Sequence, residues 1–301
     1  MVRVGVALLP EVNPAQDDRW ARAEAYGFAH AWSLDHLAWR SMADHPWYAT
    51  VPVLTTAALQ TARIGLGTFV ASPNFRHPVP FAKELMTLDQ ASGGRLLIGT
   101  GAGGPGFDAA VLGDAELTPR RRADRFTEFV TLLDVLLRQP VTTWSGEWYA
   151  AVEARMIPGP VQRPRPPLIV AANGPRAMRL AIEVGDGWST MGLAPYGTSG
   201  EDWWAGVAQA AHRFDGLVDQ TGHESGAEGS GAGFRRVLDL GSSAGPMTSA
   251  DKLHDDVARA ASLGFTDVVV CWPRSSEPFR ADEATYEEFG SRLDGTGELA
   301  I

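Results

Sequence analysis

The chain has 301 residues and a formal net charge of −10, with 45% hydrophobic and 21% charged residues. This composition is typical of a soluble globular protein, and the length suits one barrel-sized domain over residues 1–301. The 36 acidic residues outnumber the 26 basic ones. Because phosphate binding needs clustered cations, this balance argues against a nucleic-acid partner or an anionic membrane surface, although it leaves room for a local basic pocket.

Cysteine content and apolar segments point to the cytoplasm. Cys271 is the only cysteine, so the sequence excludes an intramolecular disulfide and a thiolate metal cluster. Residues 1–10 carry one charge and no small-residue cleavage site, and no segment is long and apolar enough to span a bilayer. We therefore expect a cytoplasmic protein with no membrane partner.

Strand, loop and helix alternate along the chain at the interval that α/β folds show. Apolar runs predict strands at 2–9, 29–34, 64–71, 95–100, 168–172, 187–191, 235–240 and 267–272. Helices are predicted at 17–26, 52–61, 80–92, 119–138, 176–185, 202–221, 249–263 and 281–292. Eight strands joined by helical crossovers predict an α/β fold of the closed (β/α)8 TIM-barrel type.

Two segments interrupt this alternation. Residues 141–151, with Trp144, Gly146 and Trp148, predict a short hairpin inserted before the fifth strand. The Gly-, Ser- and Glu-rich residues 223–233 predict a loop. Neither segment marks a domain boundary.

In a barrel of this type, functional residues lie at the carboxyl ends of the strands. The second strand ends in Asp35 and His36, and histidine exchanges protons readily near neutral pH. A lone histidine is often only structural, but this position favours a catalytic role. No H-x-H or H-E-x-x-H spacing accompanies it, so we expect no metal site. The aromatic residues Trp39, Trp47 and Tyr48 are either core residues or a water-poor pocket wall.

Two further strand ends carry candidate binding loops. The glycine cluster at 99–104 formally matches the dinucleotide-binding pattern G-x-G-x-x-G, but Pro105 and Gly106 interrupt the helix which that fold requires. The favoured interpretation is a permissive loop that lets the backbone approach a flat ring. After the fifth strand, a helix begins near Arg176, and its amino end is either a phosphate site or a plain helix start. Glu11 and Asp108 are acid–base candidates or solvated loop carboxylates.

Three stretches together resemble the luciferase-like monooxygenase superfamily, which includes bacterial luciferase and oxidoreductases that use the deazaflavin coenzyme F-420 (F420). They are AEAYGFAHAWSLDH, RIGLGTFVASPNFRHP followed by TLDQASGGRLLIGTGAG, and PPLIVAANGPRAMRLAIEVGDGW. The resemblance runs from the first strand to Trp188 and resumes weakly at 249–270. It implies a luciferase-like (β/α)8 barrel with an insertion, which binds F420 or FMN at the carboxyl ends of its strands.

The resemblance to the deazaflavin-dependent branch also implies roles for individual residues. It places His36, the second member of the Asp35–His36 pair, beside the reactive ring, with Trp39 as a nearby aromatic residue. From the residues themselves, and not from the resemblance, Trp47 and Asp108 are added to the expected substrate pocket. With Glu11 as a further acid–base candidate, His36 and Asp35 are the predicted catalytic residues.

The same resemblance predicts the cofactor site. It maps a cis peptide bond that does not involve proline onto Phe69–Val70. It also maps the glutamate proton donor of the family's sugar-phosphate dehydrogenases onto Gly104, which argues against a sugar-phosphate substrate. The expected cofactor-binding residues are Phe69, Val70, Ala71, Ser72, Gly101, Ala102, Gly103, Ala172, Asn173, Gly174, Pro175, Arg176 and Ala177.

The activity that this resemblance implies is reversible hydride transfer between F420 and a small-molecule substrate, in a homodimer by family analogy. Two alternatives stay open: an FMN-dependent monooxygenase, which would need a partner flavin reductase, and a non-catalytic flavin-binding barrel. The absence of an obvious nicotinamide-reductase module favours F420, whereas the missing glutamate permits the non-catalytic barrel.

Overall fold

Strands and helices alternate along the chain as the sequence predicts. The structure, a computed structural model, describes residues 1–11, 13, 15–39, 42–195, 197–221, 233–242 and 248–301. Within these residues the strands are β1 (Val2–Leu8), β2 (His30–Ser33), β3 (Gly65–Ala71), β4 (Leu96–Gly101), β5 (Val141–Ser145), β6 (Ala150–Arg155), β7 (Leu168–Ala171), β8 (Gly187–Thr190), β9 (Arg235–Asp239), β10 (Asp267–Cys271) and β11 (Glu298–Leu299). The helices are α1 (Arg19–Ala25), α2 (Thr50–Gln60), α3 (Pro78–Ala91), α4 (Phe107–Val111), α5 (Pro119–Arg138), α6 (Pro175–Val184), α7 (Gly200–Thr221), α8 (Ala250–Ser262) and α9 (Glu283–Gly290).

Eight parallel strands close into a barrel. Neighbours pair in the order β1, β2, β3, β4, β7, β8, β9 and β10, and β10 returns to pair with β1, where Val268 lies beside Val4. The predicted (β/α)8 fold is therefore confirmed, and each predicted barrel strand is present. Because the eight strands run in the same direction, their carboxyl ends share one face of the barrel.

The core has two layers, one inside the barrel and one between the barrel and its helices. The outer layer buries the apolar sides of the helices, including Phe129 of α5 and Phe214 of α7. Inside the barrel, Gly67 leaves room for Trp32, because a Cβ at that glycine would lie 2.5 Å from the indole ring. The interior cluster consists of Ala7, Trp32, Phe69, Leu97, Ile169, Val237 and Val269. Side chains thus fill the barrel, as in other barrels of this type, and a ligand site is expected at its carboxyl face.

At the amino face, a buried ionic cluster joins several strands. Asp267 of β10 pairs with Arg3 at 2.7 Å and with Arg235 at 3.2 Å, and its Oδ1 lies 3.2 Å from His30 Nε2. Burial opposes the charge of Asp267, but the hydrogen bonds from His30 and Arg3 and the charge of Arg235 outweigh it and hold the pKa of Asp267 well below its ordinary value. Burial lowers the pKa of His30, and Trp32 Nε1 donates to its Nδ1 at 2.7 Å. His30 is therefore a neutral donor to Asp267, and the cluster stabilises this end of the barrel.

Three features differ from the sequence-based expectation. The predicted hairpin forms from β5 and β6 in antiparallel pairing, but its second strand continues to Arg155 instead of ending at residue 151. The short elements α4 and β11 are not predicted, because five and two residues carry no readable hydrophobic period. The predicted loop at 223–233 lies outside the described residues, apart from Gly233.

Candidate functional site

A cavity opens at the carboxyl face of the barrel. Its volume is about 660 Å³, and its wall comes mainly from the ends of β2, β3, β4, β7, β8 and β9 and the loops that follow them. The predicted site residues on this wall are His36, Trp39, Phe69, Val70, Ser72, Gly101, Ala102, Gly103, Asp108, Ala172 and Asn173. Residues that are remote in sequence therefore meet at one site.

His36 is paired with a carboxylate from another loop. Its Nδ1 lies 2.6 Å from Oδ2 of Asp108 in α4, and Oδ1 of the same carboxylate accepts a hydrogen bond of 2.8 Å from the backbone N–H of Leu37. The Asp108 side chain is 8% exposed and that of His36 is 27% exposed. Because an ionised carboxylate only accepts hydrogen bonds, this geometry places the proton of a neutral imidazole on Nδ1 and leaves the lone pair on Nε2.

Two tryptophans surround His36, and they have different roles. The Trp39 ring lines the cavity, with its centroid 4.6 Å from that of His36. Trp47 does not line the cavity, but its Nε1 donates a hydrogen bond of 2.8 Å to the His36 carbonyl. Tyr48 is exposed. Trp39 is thus a pocket-wall residue, whereas Trp47 fixes the backbone that carries His36.

The wall from β3 and β4 depends on glycine. A Cβ at Gly101 would lie 2.7 Å from Val70 Cγ2, so the two strands could not approach as they do. Gly103 has a φ of +70°, and a Cβ there would lie 2.5 Å from Asn74 Nδ2. Asn74 in turn donates from Nδ2 to the carbonyl of Gly104 at 2.9 Å. The loops after β3 and β4 are therefore fitted closely to each other.

The family resemblance makes predictions about two positions of this wall, the Phe69–Val70 peptide bond and Gly104. The peptide bond between Phe69 and Val70 is cis, as predicted. Gly104 lines the cavity, and a Cβ added there would meet no other atom within 4 Å. The position expected to carry a glutamate is therefore open space, and the nearby carboxylate of Asp108 is engaged with His36.

Asn173 connects the loops after β7 and β8. Its Oδ1 accepts a hydrogen bond of 2.6 Å from Thr190 Oγ1, and its Nδ2 donates to the carbonyl of Gly192 at 3.0 Å. From α7, Arg213 Nη1 donates to the Asn173 carbonyl at 3.1 Å. The amide side chain is thus fixed in place at the cavity wall.

Two predicted catalytic carboxylates lie away from the cavity wall, contrary to expectation. Asp35 is buried, and its two oxygens accept hydrogen bonds from Arg76 at 2.6 and 3.1 Å. Burial opposes the charge of Arg76, but the hydrogen bond and attraction of Asp35 outweigh it and raise the pKa of Arg76. Glu11 binds Arg274 with both oxygens, at 2.9 and 3.0 Å. Both carboxylates are held in ion pairs, because an arginine that is distant in sequence satisfies each of them.

The loop between β7 and α6, where the sequence suggested either a phosphate site or a plain helix start, reaches the cavity only with Ala172 and Asn173. Gly174 precedes α6 as its N-cap, and Arg176 forms an ion pair with Asp124. The predicted cofactor-binding residues that do not line the cavity are Ala71, Gly174, Pro175, Arg176 and Ala177.

The sequence-based prediction missed several residues of the wall. Thr190 and Asp239 lie at the ends of β8 and β9, so the strand-end rule could have identified them. Arg122 had a different signal, a run of arginines in the first turn of α5. Asn74 follows the end of β3 and so carried the strand-end signal, but its contact with a loop 30 residues away had no signal in the sequence. The other missed residues are Leu34, Ala38, Pro105, Ala171, Ser189 and Met191.

The shape of the wall suits a planar ring. Gly101 has no side chain, and Ala102, Ala171 and Ala172 carry only a methyl group, so a flat ligand can lie against the backbone there. The aromatic rings of Trp39 and His36 also line the cavity. Among the residues that the structure describes, no three His, Cys, Asp or Glu side chains are grouped as metal ligands.

Comparison with known proteins identifies relatives of this chain. A family model described as luciferase-like monooxygenase matches residues 5–219. The F420-dependent glucose-6-phosphate dehydrogenase of Beutenbergia cavernae is 38% identical over 168 residues, which cover 55% of this chain and 49% of the relative. The F420-dependent hydroxymycolic acid dehydrogenase of Mycobacterium tuberculosis is 32% identical over 170 residues, which cover 55% and 46%. The chain thus spans about half the length of the curated relatives it matches.

A solved structure shares the whole fold. It is an F420-dependent secondary alcohol dehydrogenase in complex with an F420–acetone adduct, with a TM-score of 0.78 and 17% identity, covering 98% of this chain and 99% of that one. At this identity, the likeness shows the fold alone.

Proposed function

This chain belongs to the luciferase-like monooxygenase family, and from that premise we propose that it is an oxidoreductase that transfers a hydride between coenzyme F420 and a small organic substrate. Two of its curated relatives are dehydrogenases that depend on F420. The observation that carries the proposal is the meeting of the His36–Asp108 pair and a wall of small residues in one cavity.

The proposed mechanism divides the chemistry between cofactor and protein. When bound, the deazaflavin ring accepts or gives up the hydride. Asp108 holds the His36 proton on Nδ1, so Nε2 takes the proton from the hydroxyl group of a substrate that is being oxidised. The carboxylate then stabilises the imidazolium that forms, and in the reverse direction His36 returns the proton to the substrate oxygen.

The remaining wall residues bind and orient. Trp39 packs on His36, restricts its ring and keeps water away from the proton that is transferred. The residues that would hold the flat ring of the cofactor are Phe69, Val70, Ser72, Gly101, Ala102, Gly103, Ala172 and Asn173.

We propose a substrate other than a sugar phosphate. Gly104 stands where the resemblance implies a glutamate proton donor, and the space beside it is open. His36 would therefore have to handle the substrate proton itself.

We also propose that residues 1–301 form one domain, that the chain is a cytoplasmic homodimer, and that it needs no flavin reductase. One hydrophobic core cluster, which contains residues from Val2 to Leu299, supports the single domain. Cys271 is the only cysteine in the sequence, which suits a reducing compartment. In the part of the chain that the structure describes, no helix has the length and apolar character needed to cross a bilayer. Light scattering after gel filtration would test the homodimer, and a monomer mass would contradict it.

The enzymatic proposal is tested by incubating the protein with F420 and a panel of alcohols and following the visible absorbance of F420. The reverse reaction is tested in the same way with reduced F420 and carbonyl compounds. With the substrate found, His36→Gln should lower kcat by about 100-fold or more, the scale of general acid–base catalysis. Affinity for F420 should stay within about twofold, because this side chain only borders the ring. The matched control is His45→Gln, an exposed position after the same strand.

Two outcomes would contradict the proposal. Unchanged turnover in His36→Gln would remove this histidine from the mechanism. Tight F420 binding with no turnover across the panel would favour the non-catalytic barrel.

A further inference from the structure

One arginine of the cavity wall forms no ion pair with any residue that the structure describes. Arg122 of α5 lines the cavity, and its Nη1 donates one long hydrogen bond, 3.4 Å, to the Leu117 carbonyl. No carboxylate of the described residues lies within 4.0 Å of its guanidinium. Asp108, on the same wall, is bonded to His36 and Leu37 instead. In the part of the chain that the structure describes, no carboxylate balances the charge of this cavity residue.

The sequence around Arg122 concentrates positive charge at this point. The first turn of α5 contains Arg120, Arg121 and Arg122 and no acidic residue. The amino end of a helix already carries a partial positive charge, so arginines there are the reverse of the usual preference. Arg121 forms an ion pair with Glu147, whereas Arg122 forms none among the residues described. An anion near this turn would be favoured by the helix and by Arg122 together.

A second arginine lies one turn further along α5. Arg125 is only 9% exposed, and no carboxylate of the described chain lies within 4.0 Å of its guanidinium. Its Nη2 donates to Asn74 Oδ1 at 2.6 Å, while its Nε lacks a hydrogen-bond partner in this part of the chain. Asn74 itself lines the cavity. Because an unpaired buried charge is costly, negative charge at the wall in front of Asn74 would offset this cost.

We propose that Arg122, supported by the charge of Arg125 behind Asn74, forms an anion subsite that binds a phosphate or carboxylate group of a ligand in the cavity. This inference rests on the proposed function, which supplies the ligands. Two sources have this chemistry. F420 carries a phosphodiester and glutamate carboxylates on the chain attached to its ring, and an acidic substrate would carry its own anionic group.

The test measures binding, not turnover. Arg122→Met removes the cation but keeps the apolar stem, and Arg121→Met is the matched control, because Arg121 lies in the same turn and is already paired with Glu147. Calorimetry would give the affinities of wild type and both variants for F420, for the deazaflavin riboside that lacks phosphate and glutamates, and for inorganic phosphate with and without saturating F420.

If the cofactor provides the anion, Arg122→Met should weaken F420 binding about tenfold, the scale of one charge-assisted hydrogen bond at a partly exposed site. Affinity for the riboside should stay unchanged, and F420 should block inorganic phosphate. If the substrate provides the anion, F420 affinity should stay unchanged, and the F420-loaded wild type should bind inorganic phosphate about tenfold more tightly than the loaded variant. Arg121→Met should behave as wild type in both cases.

The inference is overturned if Arg122→Met binds F420 and inorganic phosphate as wild type does, or if the Arg121→Met control loses as much. Should the methionine variant not fold, as judged by circular dichroism, Arg122→Gln replaces it and Arg122→Lys should restore binding. A wild type that binds neither F420 nor the riboside would contradict the proposed function, while phosphate binding to the apoprotein would still decide the anion subsite.

Discussion

Replacing Asp108 by asparagine should disable His36 without removing it. In the wild-type arrangement, the two carboxylate oxygens accept one hydrogen bond from the His36 ring and one from the Leu37 backbone. Asparagine has one oxygen and one NH2 group, so it can satisfy only one of these donors. If its oxygen stays on the backbone N–H, its NH2 group faces Nδ1, and the histidine proton moves to Nε2. The atom that should accept the substrate proton is then blocked.

The size of the effect follows from the geometry of this pair. A hydrogen bond to a charged group contributes roughly 1.5–3 kcal/mol. Because His36 is 27% exposed, the lower end of that range applies. About 1.4 kcal/mol corresponds to a tenfold change in rate, so kcat should fall about tenfold or more. Affinity for F420 should stay within about twofold, since Asp108 is not among the residues expected to hold the ring.

The assay combines kinetics with a direct view of the ring. Steady-state F420 reduction with the substrate identified by the alcohol panel gives kcat and KM, and nitrogen-15 NMR shows which imidazole nitrogen carries the proton. The proton should be on Nδ1 in wild type and on Nε2 in Asp108→Asn. Asp114→Asn, which changes an exposed carboxylate three residues after α4, is the control. Wild-type kcat together with an unchanged tautomer in Asp108→Asn would refute the reasoning.

Two further predictions concern stability. In urea titrations, Gly103→Ala should lower the free energy of unfolding by about 1–2 kcal/mol, because the left-handed backbone of Gly103 disfavours a side chain and Asn74 occupies the space. The control Gly104→Ala should change the free energy of unfolding by no more than about 0.5 kcal/mol. Equal losses in the two variants would contradict this account. The free energy of unfolding should also decrease as the pH is lowered. The first decrease begins below pH 6.5, where His30 takes up a proton in the unfolded chain but not in the folded one. The second begins below pH 3.8, where Asp267 is protonated in the unfolded chain before it is protonated in the folded one. Between pH 7 and 5.5 the wild type should lose more stability than His30→Gln, and identical pH profiles would show that this histidine does not contribute.

Most of the barrel could be predicted from the sequence, because its strands are buried on both faces and therefore appear as continuous apolar runs. The pairing of Val4 with Val268 closes the barrel as expected from the number of strands. The membership of the family, inferred from three short stretches, is confirmed by the match over residues 5–219. The elements α4 and β11 could not be predicted, because elements this short are defined by tertiary contacts.

The position of the site could be predicted from the sequence, but the pairing of its side chains could not. Strand ends identified His36, and the barrel topology brought it to the cavity. Its neighbour Asp35 was the natural partner in sequence, yet its carboxylate binds Arg76, and the carboxylate that holds His36 comes from Asp108, 72 residues away. Such pairings depend on side-chain directions and on the length of intervening loops, which carry no periodic signal. For the same reason, the sequence could not show that Arg122 has no ion pair within the described ranges.

The central claim is that the cavity at the carboxyl face selects a deazaflavin, and direct cofactor binding tests it best. Purified apoprotein would be titrated with F420 and, separately, with FMN, with fluorescence as the readout. We predict saturable, tight binding of F420 and weak or no binding of FMN. Tight binding of FMN without binding of F420 would contradict the claim and would favour an FMN-dependent monooxygenase served by a partner flavin reductase.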